Sequence, residues 1–190
     1  MKNRQSKQNL DTKSILLYTS GTTGRSKGVV LSNRNVIESG KAGIVFDNIN
    51  SDFSLICYLP MAWVGDFAFS MGLGLQSGMC ICCPESSETL HDDMREIGPS
   101  YFFGPPRFFE SLLTSVNLKI DDASSIKRKL FDYFMSIAKE NGEKILENKS
   151  VGLVNRIKYF LGELFIYGPL KNRMGLTKTK VGYTAGEAIG

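Results

Sequence analysis

Residues 18 to 29 read Tyr-Thr-Ser-Gly-Thr-Thr-Gly-Arg-Ser-Lys-Gly-Val. Gly21, Gly24 and Gly28 let the backbone curl and turn N–H groups toward an anion, while the hydroxyls of Thr19, Ser20, Thr22 and Thr23 can donate to phosphate oxygens. Arg25 and Lys27 add positive charge. Together these groups have the chemistry of a triphosphate clamp, and a plain polar hairpin tip has no need of them. A Walker A loop would be the rival, but it ends in Gly-Lys-Ser/Thr and opens a helix. Here the lysine sits in Ser26-Lys27-Gly28, so the hydroxyl meant for magnesium is missing, and the apolar residues after it read as a strand.

The elements that must hold this loop follow from the apolar pattern. Residues 14–18 form a strand leading in and residues 28–31 a strand leading out, and Ser32 or Asn33 caps a helix running to about Phe46. Beyond it come a buried strand at 54–59, a helix from Asp66 to Gln76 that stops at Gly78, and a strand at 79–83. A polar helix at 88–97 and a strand at 101–103 complete this part. Strands alternating with helices imply an α/β fold with a mostly parallel sheet. From Arg107 onward the spacing turns helical, over 108–116, 125–146 and 151–167, with Ile126, Leu130, Phe134, Ile137 and Ile145 on one apolar stripe. The aromatic residues of these helices, among them Phe131, Tyr133, Tyr159, Phe160, Phe165 and Tyr167, read as packing onto the sheet, with a membrane surface as the alternative. A last strand is expected at 178–183.

Composition narrows the class. With 42% hydrophobic and 22% charged residues the chain is an ordinary globular sequence, which excludes disorder. Four cysteines (Cys57, Cys80, Cys82, Cys83) are too clustered to staple 190 residues and lack paired zinc spacing, so they read as reduced, mostly buried thiols of a cytoplasmic protein. His91, the one histidine, stands among Asp92, Asp93 and Glu96 and reads as a solvated side chain, which removes His-dependent triads. No metal site is expected. Residues 1–41 hold 8 basic and 2 acidic groups, residues 42–125 hold 3 and 11, and residues 126–190 hold 12 and 6. That alternation does not suit nucleic acid, whereas a basic first segment suits a small polyanion. The polar start carries no secretory signal, and the uncharged run 67–84 is too rich in Gly, Ser and Gln to span a membrane.

At the loop residues a family resemblance becomes specific. Thr19 to Val29 resembles the phosphate-binding signature of the adenylate-forming (AMP-binding) superfamily, with Ser26 where a proline usually precedes the lysine. Tyr58-Leu-Pro-Met-Ala-Trp-Val-Gly-Asp66 resembles that family's next core motif, whose aromatic residue lines the acyl pocket. Trp63, where many members have His, and Phe67 are then the candidates for lining or gating it. Thr184-Ala-Gly-Glu-Ala-Ile189 is similar to the turn that contacts adenine, which assigns Ala185, Gly186 and Glu187 to that role. Within the superfamily the chain looks like the bacterial-type long-chain fatty-acid CoA ligases, through the Trp63 variant, Phe103-Gly-Pro-Pro-Arg-Phe-Phe-Glu110 and the helical insertion at about 107–170.

The resemblance implies a fold and a reaction. Residues 12–190 would be part of the large N-terminal domain, with mostly parallel sheet layers and a helical insertion, preceded by a polar segment at 1–11. The small C-terminal domain would be absent, so that the 190 residues alone would make no acyl-CoA. A fatty-acid carboxylate would attack the α-phosphorus of ATP, and CoA would then displace AMP. Lys27, Thr22 and Thr23 would neutralise the triphosphate together with Mg²⁺, and Thr19, Ser20, Gly21 and Gly24 would complete the ATP contacts. The implied partners are a long-chain fatty acid, ATP and CoA, with no nucleic acid, in the cytoplasm or peripheral to a membrane. A ligase for another carboxylic acid and a nucleotide-binding protein without turnover stand as the alternatives.

Overall fold

The computed structural model describes residues 7–19 and 25–186. They divide into two compact units. The first runs to Asp93 and takes in Pro99–Phe102, and the second comprises Met94–Gly98 and the residues from Phe103 onward.

The first unit opens with an antiparallel hairpin of β1 (Lys13–Thr19) and β2 (Lys27–Ser32). Helix α1 (Asn33–Asp47) follows without a linker because Ser32 caps it: its hydroxyl accepts from Asn35 N–H, and the Asn35 side chain accepts from Ser32 N–H. The polar residues before β1 are tied to the same place, Asn33 N–H donating to Thr12 O at 2.9 Å and Arg34 N–H to Leu10 O at 2.7 Å. Strand β3 (Ser54–Ile56) is shorter than the apolar run 54–59 suggests. Cys57 N–H still bonds Cys82 O, after which the chain turns away at Pro60.

The expected helix 66–76 is a composite. It consists of α2 (Val64–Phe67), a π-helical segment Ala68–Gly74 and a last turn α3 (Leu75–Ser77), closed by Gly78 in the left-handed conformation. Ser70 Oγ donates to Asp66 O at 2.6 Å inside this run. Strand β4 (Cys80–Cys82) lies parallel to β3 on one side and β5 (Tyr101–Phe103) parallel on the other, joined through α4 (Leu90–Ile97). The parallel α/β arrangement read from the sequence is therefore present. Its centre is apolar, with Leu55, Ile56, Tyr101 and Phe102 all buried. The cysteines differ from expectation: Cys80 and Cys83 are exposed and Cys57 and Cys82 half-buried. Cys80 and Cys82 lie two apart on β4, which is paired on its β3 side, and both stay near solvent.

Two serines lock β3 to the start of β5. Ser54 N–H donates to Ser100 Oγ at 2.8 Å, and Ser100 N–H donates back to Ser54 Oγ at 3.2 Å. Ser100→Ala strips the Ser54 N–H of its acceptor in a part-buried position. It is expected to lower unfolding stability by about 1–2 kcal/mol, read as an earlier urea midpoint at unchanged slope.

In the second unit, α5 (Pro106–Asp121) begins on Pro106, whose fixed φ suits a first helical turn. It is followed by α6 (Ser125–Leu146) and α7 (Leu153–Gly162). The helical run does not end at Tyr167: it passes through a π-helical segment Glu163–Tyr167 into α8 (Gly168–Arg173), and β6 (Val181–Tyr183) comes last. Only the middle of the expected stripe on α6 is covered. Phe134 and Ile137 are buried against Tyr167, Tyr159 and Ile166, whereas Ile126 and Leu130 are exposed. Of the aromatic residues expected on the sheet, Tyr159 and Tyr167 join Phe134 in a helix-to-helix core instead, with Tyr167 Oη donating to Phe134 O, whereas Tyr133, Phe160 and Phe165 are exposed. Buried Asn141 is satisfied by Ile137 O and by Asn155 Nδ2.

Candidate active site

The hairpin register sets Thr19 directly opposite Lys27, so the glycine- and hydroxyl-rich stretch leaves and re-enters between these two residues. Both are exposed, as is Arg25. Thr19 Oγ1 reaches toward Lys27 O at 3.5 Å. Ser20, Gly21, Thr22, Thr23 and Gly24 lie outside the described residues. What the structure brings together is a cation and a hydroxyl at one mouth, on a strand whose far end is pinned by the Ser32 cap.

Four residues along β2 from Lys27, Leu31 forms part of the wall of an apolar hollow of about 400 Å³. Val36 of α1 and Val64, Phe67 and Ala68 of the composite helix form most of the rest, with Asn35 and Ser39 as its polar positions. Phe67 is thus on the wall of an apolar hollow. Trp63 is not one of the lining residues; it is the N-cap of α2, its N–H donating to Pro60 O and its carbonyl accepting from Phe67 N–H at 3.3 Å. At about 3.3 Å per residue, Lys27 and the hollow are roughly 13 Å apart along one strand.

Asp66, in the same motif, received no role from the sequence. Asp66 as a whole is 5% exposed, Leu59 N–H donates to its carboxylate, and Oδ2 has no hydrogen-bond partner among the described residues. Burial raises its pKa above the usual carboxylate value. Burial, and then the Asp66 charge, push the Cys57 thiol up to about 12, and the same two causes raise the Tyr58 phenol. An acid whose folded pKa is raised disfavours the folded state above that pKa, and the penalty fades as pH falls through it. Asp66→Asn is thus expected to stabilise the chain by about 1 kcal/mol at neutral pH. The gain should shrink toward zero as the pH approaches about 4, in urea titrations run across the range.

In the second unit β6 ends where Tyr183 O accepts from Gly104 N–H at 3.0 Å, and Thr184, Ala185 and Gly186 follow, all exposed. Gly186 has φ of 107°, a conformation glycine adopts freely and side chains resist, so backbone is presented there without a Cβ. Glu187 lies outside the described residues. His91 is exposed, as expected. Among the described residues no group of three or more His, Cys, Asp or Glu could hold a metal, and no helix is long and apolar enough to cross a membrane.

A family model described as AMP-binding enzyme matches residues 2–177. The chain belongs to the AMP-binding enzyme family. Among the curated relatives of this AMP-binding chain, the long-chain-fatty-acid–CoA ligase ACSBG1 of Rattus norvegicus is 27% identical over 154 residues, covering 77% of this chain and 21% of that protein. The long-chain-fatty-acid–CoA ligase heimdall of Drosophila melanogaster is 27% identical over 188 residues, covering 96% and 28%. The chain thus spans between a fifth and three tenths of the length of these relatives. Among solved structures, apo MatB from Rhodopseudomonas palustris superposes with a TM-score of 0.50 at 24% identity, over 56% of this chain and 21% of that one. McyG A-PCP complexed with phenylalanyl-adenylate gives 0.52 at 20% identity, over 60% and 19%. These two likenesses establish the fold as that of the AMP-binding enzymes.

Proposed function

We propose that this chain supplies the phosphate clamp and the acyl-binding wall of an ATP-dependent ligase that activates a long-chain fatty acid and passes it to CoA. The observation that carries the reading is the single strand β2, with Lys27 at its loop end and Leu31 at the apolar hollow. An acyl chain seated against Leu31, Val36 and Phe67 would direct its carboxylate along that strand toward a triphosphate held by Lys27, Thr19, Ser20, Gly21, Thr22, Thr23 and Gly24. The carboxylate oxygen attacks the α-phosphorus, pyrophosphate leaves, and the thiol of CoA then takes the acyl carbon with release of AMP. The chain's own contribution is placement and charge neutralisation, with no covalent nucleophile of its own. ATP enters as its Mg²⁺ complex, and Trp63, at the head of the helix that carries Phe67, borders the acyl entry. The names of the ligase relatives support the fatty-acid substrate.

The test is ligand binding by the 190-residue chain, with acyl-CoA formation followed alongside. The reading expects saturable binding of ATP and of palmitate, and no acyl-CoA from palmitate, ATP, Mg²⁺ and CoA. Absence of both binding events overturns it. Benzoate competing as well as palmitate would overturn the long-chain substrate in favour of another carboxylic acid, and acyl-CoA formation would overturn the expected lack of turnover.

A further inference from the structure

Helix α7 is amphipathic in an inverted sense. Its inward face carries Tyr159, which packs on Tyr167 with ring centroids 5.1 Å apart, and Asn155, whose Nδ2 donates to buried Asn141. At about 100° per residue, Leu153, Val154, Ile157, Phe160 and Leu161 fall within an arc of about 120° on the other side. All five are exposed, Leu153 by 75% and Phe160 by 67%. Arg156 lies about 40° beyond one edge of that arc and Lys158 about 40° beyond the other. No Asp or Glu occurs from residue 148 to residue 162, and Lys149 at the start of this stretch is ion-paired with Glu147.

We infer that this face of α7 is a docking surface for an anionic lipid bilayer, lying in the interface with its apolar arc toward the acyl chains and Arg156 and Lys158 at the headgroups. Charge complementarity selects that occupant. An apolar arc bordered on both sides by cations, with its nearest carboxylates, Glu147 and Glu163, each ion-paired to a lysine, matches a negatively charged surface with an apolar interior. A second copy of the chain meeting this face about a two-fold axis would set cationic edges against cationic edges, which opposes self-association. The inference is independent of the activity proposed above, since it concerns a helix that contributes no residue to the clamp or the hollow.

The experiment is flotation of the full chain with phosphatidylcholine vesicles, with and without phosphatidylglycerol; aggregated protein stays at the bottom of such a gradient. The chain should float with the anionic vesicles and much less with the neutral ones. Arg156→Glu with Lys158→Glu should lower the partition coefficient roughly thirty-fold or more, and Ile157→Asp about tenfold. Arg156 and Ile157 are exposed, so Arg156→Glu and Ile157→Asp made singly should keep wild-type far-UV circular dichroism and urea midpoints, whereas half-buried Lys158 lies over the Tyr133 ring at 6.0 Å and its reversal should lower the midpoint slightly. As a second readout, Phe160→Trp in a Trp63→Phe background leaves a single tryptophan on the face, and its emission should shift to the blue on adding anionic vesicles. Flotation unaffected by the charge reversal, or no flotation with anionic vesicles and no blue shift, overturns the inference. So does a concentration-dependent dimer that Ile157→Asp dissociates while flotation stays the same, which would make the face an interface between copies.

Discussion

Lys27→Ala is expected to lower the affinity of the chain for ATP by about 10- to 100-fold while leaving its unfolding midpoint unchanged. A hydrogen bond from a charged donor to a phosphate is worth about 1.5–3 kcal/mol, which sets the size of the loss. Stability is spared because Lys27 is exposed at the end of β2, and its strand pairing to Thr19 uses backbone groups that alanine retains. Lys27→Arg should recover part of the affinity, since it restores the charge but replaces a compact ammonium by a planar fork. Raising the salt concentration should narrow the difference between wild type and Lys27→Ala, because the cation acts from solvent. Competition against a fluorescent ATP analogue measures all three variants. Equal affinities for wild type and Lys27→Ala would remove the lysine from the clamp, and with it the phosphate role of the hairpin.

The two strands that flank the loop were legible because their pattern is local. Hydroxyls, glycines and a lysine at fixed offsets need only the two flanking strands to be useful, and the period-two apolar pattern announces those strands. Ser32 as a cap was readable for the same reason, since a capping side chain acts within three residues. The parallel order of β3, β4 and β5 followed from helices alternating with short apolar runs. What periodicity could not show is where regular spacing breaks. Residues 64–77 carry a helical pattern, yet Ala68–Gly74 is π-helical, and that segment begins at Ala68, next to Phe67, both at the hollow. Nor could a pattern tell Phe67, which lines the hollow, from Trp63, which caps the helix, because the difference lies in where α1 sits. The exposed cysteines were missed because burial of a small apolar side chain depends on which side of its strand is covered. Asp66 escaped notice because a buried carboxylate looks, in sequence, like any acidic residue in a first helical turn.

Gly40→Ala is expected to destabilise the first unit by about 2–3 kcal/mol, although the same exchange in an ordinary helix is favourable. Alanine replacing glycine inside a helix normally gains about 1 kcal/mol by reducing the freedom of the unfolded chain. At Gly40, however, a Cβ would lie 2.9 Å from the carbonyl carbon of Gly72, and closer still to its oxygen and to Gln76 Nε2. Gln76 can swing aside; the Gly72 backbone cannot, because it belongs to the π-helical segment against which α1 packs. The two helices must therefore separate. Gly43 allows nothing in compensation, since a Cβ there would already stand 2.8 Å from Leu73 Cδ1. The control is Gly142→Ala in α6, where a Cβ would meet nothing within 4 Å, so that exchange should raise stability by about 0.5–1 kcal/mol. Urea titrations of the two variants should thus move in opposite directions from wild type. On the proposed function a functional change should accompany the loss: Val36 of α1 and Ala68 of the π-helical segment both line the apolar hollow, so prising α1 away alters its width. Palmitate binding should weaken in Gly40→Ala under conditions where the protein is still folded, whereas ATP binding, set at the other end of β2, should hold. If Gly40→Ala were as stable as Gly142→Ala, the close crossing of α1 with the π-helical segment would be wrong, and so would the wall that α1 gives the hollow.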